Sequence, residues 1–300
     1  MNEEVYDCLI VGGGPAGLSA ALILGRCLRT VAILDSGSPR NCYARTLHAF
    51  LTRDVIVPAE FYRIAQEDLR KYETVEYVKT EVVKATKLPD FFMLTDIRGK
   101  IWRSRTLLIA TGVMDAVPDL PGFMDFYGKS IHNCPYCDAW EVRGQRLAVY
   151  GKGNRGFEQA LPLLKWSEDL ILFTDGTELT EDQRKTLSEK KIHFYPEKIT
   201  RLHGKDGQLE EIELENGKRI SRDAMFFNTE SFLRSKLLEE LNCPFTNKDG
   251  VETGKYERTE VPGLFVAGNI LREVQLVIVA AAEGAEAAFG INKLLNKLNQ

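Results

Sequence analysis

At 300 residues, 44% hydrophobic and 27% charged, the chain has the composition of a soluble globular protein, with room for two domains or for one inserted in another. A net charge of -4 offers no basic surface for nucleic acid or an anionic membrane. The start, Met1-Asn2-Glu3-Glu4, lacks the apolar core of a signal peptide, and the longest apolar tract, 276–291, is interrupted by Glu283 and Glu286 and too short to span a bilayer.

Residues 5–11 (VYDCLIV) form a run of strand length. Gly12-Gly13-Gly14-Pro15-Ala16-Gly17 follows, then an Ala/Leu-rich stretch, 18–28, of helical composition. In this order Gly12 allows a tight turn, Gly14 lets backbone approach a pyrophosphate, and Gly17 lets helix pack on strand. The helix start offers N–H groups to the phosphates. Residues 30–34 read as the next strand, and Asp35 at its end suits a ribose hydroxyl. The glycine pattern alone is weak; with strand, helix and acid in place it predicts a dinucleotide site.

The polar loop 36–54 carries Arg40, Asn41, Arg45 and His48. It reads either as a cover over the cofactor or as solvated surface, and Cys42 within it as a bystander. The spacing of Phe61, Ile64, Ala65, Leu69 and Tyr72 predicts a helix over 58–72. Alternation across 75–102 predicts short antiparallel strands. Residues 106–109 (TLLI) are a buried strand. Its small-residue exit, Ala110-Thr111-Gly112, lets backbone approach a ligand at the carboxyl edge of a sheet. Pro118, Pro121 and Gly122 then punctuate the chain as a domain crossing does.

Next comes Cys134-Pro135-Tyr136-Cys137-Asp138. Thiols at this spacing close a small ring at little entropic cost, and Asp138 is placed to move the proton that thiol–disulfide exchange needs. Half of a zinc site is the weaker reading, because no second Cys/His pair has ligand spacing; no metal is expected. An inert buried pair is disfavoured by the Pro, Tyr and Asp around the thiols. The six cysteines are spaced too irregularly for a secreted framework, so a reducing cytoplasm is expected.

A second strand–glycine–helix unit follows: 145–150, Gly151-Lys152-Gly153-Asn154-Arg155-Gly156, then 157–166. Its second strand, 170–174, ends at Asp175. An NADPH site wants arginines here for the 2′-phosphate. The chain instead reads Thr174-Asp175-Gly176-Thr177-Glu178, with no arginine before Arg184. NADPH is therefore not expected to bind tightly, Asp175 remains compatible with NADH, and a copy that binds no nucleotide is the third possibility. Further strands are expected within 192–228, and a helix or loop over 231–241. Near the end, Val266-Ala267-Gly268-Asn269 is a strand with a small-residue exit. A final helix over 274–296 follows, with Gln275 at its start.

These pieces, in this order, resemble the low-molecular-weight thioredoxin reductase family of flavoproteins. The anchors are the glycine loop at 12–17, Ala110-Thr111-Gly112, Cys134 to Asp138, the glycine loop at Gly151, and Val266-Ala267-Gly268-Asn269. The resemblance implies an α/β fold of two Rossmann-like nucleotide-binding domains of the three-layer ββα type, the second inserted in the first. It gives an FAD-binding domain of 1–115 and 230–300 around an inserted NAD(P)-binding-like domain of 116–229, usually in a homodimer. It implies FAD held by Gly12, Gly14, Pro15, Ala16, Gly17, Asp35, Arg40, Asn41, His48, Ala110, Thr111, Gly112, Gly268, Asn269 and Gln275. It also implies that Cys137 lies against the flavin, that Cys134 attacks the substrate, and that Asp138 is the acid beside the pair.

The chain departs from the family twice. The NADPH arginines are missing, and the usual Ala-Gly-Asp near the C-terminus is Ala-Gly-Asn. This is closer to relatives resembling flavin-dependent dithiol oxidases, or using ferredoxin or other donors. The expected activity is FAD-dependent dithiol/disulfide exchange with a thioredoxin-like protein or a small dithiol. The rivals are an NAD(P)H-dependent thioredoxin reductase with an unusual nucleotide clamp and a non-catalytic redox sensor.

Overall fold

The computed structural model describes residues 5–246, 250–270 and 274–300. Contacts divide the chain into two units. One comprises Met1–Cys42, Ala49–Met114 and Phe232–Gln300; the other comprises Tyr43–His48 and Asp115–Ser231.

In chain order the first segment holds β1 (Val5–Val11), α1 (Pro15–Arg26), β2 (Val31–Asp35), α2 (Pro58–Leu69), β3 (Val75–Lys79), β4 (Val82–Lys87), β5 (Phe92–Asp96), β6 (Ile101–Ile109) and β7 (Val113–Asp115). The middle holds α3 (Phe123–Phe126), β8 (Ile131–His132), α4 (Pro135–Asp138), β9 (Leu147–Tyr150), α5 (Gly153–Leu163), β10 (Leu170–Phe173) and α6 (Glu181–Glu189). It continues with β11 (His193–Tyr195), β12 (Ile199–Lys205), β13 (Gln208–Leu214), β14 (Arg219–Ser221) and β15 (Ala224–Phe227). The chain closes with β16 (Ser231–Leu233), α7 (Leu237–Glu240), β17 (Leu264–Val266) and α8 (Val277–Leu298).

In the first unit β3, β2, β1, β6 and β17 pair in parallel. β4 and β5 extend the sheet antiparallel from β6. Alternate residues of β1 and β2 face opposite ways. Cys8, Ile10, Val31 and Ile33 pack under α1 and α8, while Leu9, Val11, Ala32 and Leu34 pack toward Phe92, Leu94 and Leu237. Both faces are covered, so these strands read as continuous apolar runs. Helix α8 approaches α1 so closely that a Cβ on Gly284 would lie 2.0 Å from the Ala16 carbonyl oxygen.

The second unit repeats the plan. β11, β10, β9, β15 and β8 form a parallel sheet. Val149, Leu172 and Phe226 face Ala160 and Leu163 of α5, and Tyr150 and Phe227 face the antiparallel sheet of β12, β13 and β14. Each unit is thus helices, parallel sheet, antiparallel strands. The fold is the mixed α/β arrangement with parallel sheets that the sequence predicts.

Two local expectations need correction. β3 is not antiparallel: it joins β2 in parallel because α2, not a hairpin turn, connects them. Its residues are half-buried or exposed, as befits an edge strand. Residues 231–233 form the short strand β16, paired with β7, before α7 begins. Among the described residues no helix is long and apolar enough to cross a membrane.

Candidate functional site

The first glycine loop leaves β1 through Gly12, whose φ of 108° is open only to glycine at low cost. A Cβ there would also meet the Ala110 carbonyl oxygen at 2.4 Å, so this turn rests directly on the exit from β6. Gly14 is the N-cap of α1 and Pro15 occupies its first turn. A Cβ on Gly14 would meet nothing within 4 Å, so the backbone here faces open space at a helix start. Such a place accepts a pyrophosphate. Gly17 lies under Gly12, and Ala16 is buried beside α8.

Asp35 closes β2. Its Oδ1 accepts from the Gly13 amide at 2.9 Å, and its Oδ2 accepts from the Tyr77 hydroxyl of β3. Burial, then the bond to Asp35, push the Tyr77 hydroxyl well above its usual pKa, so it stays a donor. Nearby, Asn41 accepts from Tyr62 at 3.0 Å, Arg40 bonds Gln275, and Arg234 bonds the Ser38 carbonyl. Asn269 sits against Gly112: a Cβ there would be 2.7 Å from its Oδ1. Gly268, with φ of 94°, donates its amide to Glu283 at 2.8 Å. The loop at 12–17, the 110–112 exit and the 268–269 exit therefore meet within one unit. His48 packs in the other unit, beside Thr46 Oγ1 at 2.8 Å and with Nδ1 3.6 Å from Glu141 Oε1. No local motif marks Tyr77, Tyr62, Arg234 or Glu283 as site residues, because their partners lie far away in sequence or on another element.

In the second unit Cys134 and Cys137 are disulfide-bonded, with Cα atoms 5.3 Å apart. Cys134 caps α4, Pro135 fills its first position, and the Cys137 amide donates to Cys134 Sγ at 3.2 Å. That amide would also stabilise a Cys134 thiolate once the bond is reduced. Asp138 ends the turn with Oδ1 3.5 Å from His132 Nδ1. Tyr136, between the two cysteines, and Trp140, three residues after the second, stand exposed. The remaining buried thiols are unsuited to exchange: burial pushes Cys8 up to about 12 and raises Cys243 as well. Among the described residues no cluster of His, Cys, Asp or Glu is arranged to hold a metal.

The second glycine loop differs in its surroundings. Asp175 Oδ2 accepts from Tyr150 at 2.8 Å and lies 3.2 Å from Lys152 Nζ of the loop itself. A Cβ on Gly153 would contact Thr177 at 3.7 Å. Gln183 of α6 donates to Asn154 of the loop at 3.1 Å. Arg184 bonds Glu178 at 2.6 Å and the Leu179 carbonyl at 3.0 Å.

A family model described as pyridine nucleotide-disulphide oxidoreductase matches residues 6–284. The chain belongs to that family. The chain is 32% identical to thioredoxin reductase sirT of Leptosphaeria maculans, over 96% of this chain and 94% of that protein. Identity to thioredoxin reductase aclD of Aspergillus oryzae is 31%, over 97% and 96%. The crystal structure of HlmI superposes with a TM-score of 0.94 at 32% identity, covering 99% of this chain and 95% of that one. The protein is thus a thioredoxin reductase-like flavoprotein oxidoreductase, and FAD is the cofactor expected of this oxidoreductase family. The first glycine fold fits it, with open space at Gly14, a helix start behind it and the Asp35 carboxylate at the end of β2.

Proposed function

We propose that the protein is an FAD-dependent dithiol/disulfide oxidoreductase in which the Cys134–Cys137 pair carries electrons between a substrate sulfur pair and FAD. The observation that carries this reading is the bonded pair with Asp138 on the same turn. In the dithiol direction a substrate thiolate attacks Cys134 Sγ, the Cys134–Cys137 bond breaks, and Cys137 leaves as a thiolate. The second substrate thiolate then attacks the sulfur joined to Cys134. The substrate disulfide forms and Cys134 is released. Two electrons enter the pair, and Asp138 takes up or returns a proton at the leaving sulfur. Disulfide reduction is the same sequence reversed. FAD, when bound, supplies the acceptor or donor for that electron pair.

The redox partner on this reading is oxygen, ferredoxin or another carrier, not tightly held NADPH. Support comes from Arg184, which is spent on Glu178 and Leu179, and from the carboxylates Asp175 and Glu178 where a 2′-phosphate would lie. The substrate is a thioredoxin-like protein or a small dithiol. A cytoplasmic homodimer completes the reading. The free exposed thiols Cys27 and Cys42 suit a reducing compartment, and Phe289, exposed on α8, suits contact with a second copy. Asp175, two residues past β10, favours one alternative, in which NADH feeds the pair.

The test is anaerobic mixing of the yellow protein with NADPH, NADH and a dithiol in turn, read by flavin absorbance. Bleaching by the dithiol alone is expected. Bleaching within seconds by NADPH would overturn the account of Thr174 to Glu178; bleaching by NADH alone would establish the alternative.

A further inference from the structure

We infer that Glu283 is a positioning residue of the cofactor site, acting through the backbone amide of Gly268. The inference rests on the reading that FAD lies on the first glycine fold. Glu283 is only 5% exposed, in a stretch of α8 where the other inward residues are Gly284, Ala287 and Ala288. Packing of α8 on the sheet asks for small residues there, not for a carboxyl group. A buried carboxyl is costly unless it is hydrogen-bonded, so its place calls for a specific partner. One partner is the Gly268 amide, 2.8 Å from Oε2.

Gly268 is where the exit from β17 turns, with φ of 94°. Asn269, the next residue, lies over Gly112 of the exit from β6. On the other side of Glu283, Gly284 rests on the Ala16 carbonyl at the start of α1. Glu283 therefore stands where α8, the 268–269 exit and the first turn of α1 meet. By fixing the Gly268 amide it fixes the direction in which Asn269 is presented. Asn269 brings no charge of its own, so the carboxyl at this junction comes from the helix instead.

The test compares two variants in the full chain. Glu283→Gln keeps an oxygen acceptor for the Gly268 amide; Glu283→Met keeps side-chain length and removes the acceptor. FAD is stripped from each protein and titrated back, with affinity read by flavin fluorescence. Glu283→Gln is expected to bind FAD within about 3-fold of the parent protein. Glu283→Met is expected to bind about 10-fold or more weakly, the scale of one strong hydrogen bond. Equal affinity of Glu283→Met and the parent overturns the inference, as does a Gln variant as weak as the Met variant. Should Glu283→Met fail to fold by circular dichroism, hydrogen exchange at the Gly268 amide in the parent and the Gln variant decides. Slow exchange in both is expected, and fast exchange in the parent overturns the assignment. A parent protein that takes up no FAD at all would overturn the underlying reading as well, a result distinct from parent and Met variant binding alike.

Discussion

The two glycine folds share a plan and differ in what surrounds it. In the first, Asp35 is braced by the Gly13 amide and by a tyrosine from the neighbouring strand β3, and Gly14 faces open space. In the second, the equivalent Asp175 is taken by Tyr150 of the same βαβ unit and by Lys152 of the loop. Thr177 lies near Gly153, and Gln183 bridges to Asn154. Spacing alone makes the loops look interchangeable. Side chains from adjoining elements set what surrounds each loop. The second unit instead presents its sulfur pair.

That contrast is sharpest at the sulfur. Cys137→Ser should lower dithiol–disulfide turnover by about 10³-fold or more, because the pair acts as one group. Full turnover in this variant, measured under saturating substrate, would break the comparison outright. Gly12→Ala comes next. The new methyl meets the Ala110 carbonyl at 2.4 Å and the backbone is left-handed, so loss of FAD and about 3 kcal/mol of stability is expected. Gly151→Ala, whose methyl meets Gly156 Cα at 2.7 Å, should destabilise the second unit yet leave FAD stoichiometry intact. Absorbance ratio and urea unfolding read both.

Asp35→Ala should weaken FAD binding by about 10-fold or more, through loss of a ribose partner and of the brace on Gly13. Asp175→Ala should leave FAD affinity unchanged, as isothermal titration would show. The smallest effects concern acids outside either loop. Burial pushes the Asp96 carboxyl up, but bonds from Trp102 and from the Lys100 and Arg98 amides outweigh it and hold it below its ordinary range. Asp223 is held low chiefly by its bond to Arg146. Each contribution is complete above the unfolded pKa and is lost as pH falls through the lower folded value. Asp96→Ala should therefore flatten the acid side of the stability profile more than Asp223→Ala, whose ion pair is half-exposed and worth under about 1 kcal/mol.

Much of this was legible in the chain itself. Gly12 announces its left-handed turn by being glycine, the apolar runs β1, β2 and β6 announce a sheet covered on both faces, and Asp35 stands where such a fold places an acid. The Cys134–Cys137 spacing likewise foretells a closed ring. The rest depends on contacts with no local signal. Tyr77 reaches Asp35 only because α2 carries β3 alongside β2, an arrangement its alternating pattern disguises as a hairpin. Glu283 reads as an interruption of an apolar helix until α8 is docked on α1. The grouping of Tyr43–His48 with the second unit is set by pairs such as Arg45 with the Gly128 carbonyl, between residues far apart in sequence.

The pairing of β17 with β6 bears on how the molecule is made. Leu264 lies beside Leu107, and the whole second sheet is encoded between them. A ribosome completes β8 through β15 before β17 exists. During that interval the Leu107–Ile109 edge of β6 has no neighbour on one side, and the hydrophobic bed for α8 is bare. Pairing across such a span is slow and leaves the nascent chain exposed to aggregation. A message cut short before residue 264 would then leave the Leu107–Ile109 edge of β6 without its β17 partner and the bed for α8 uncovered.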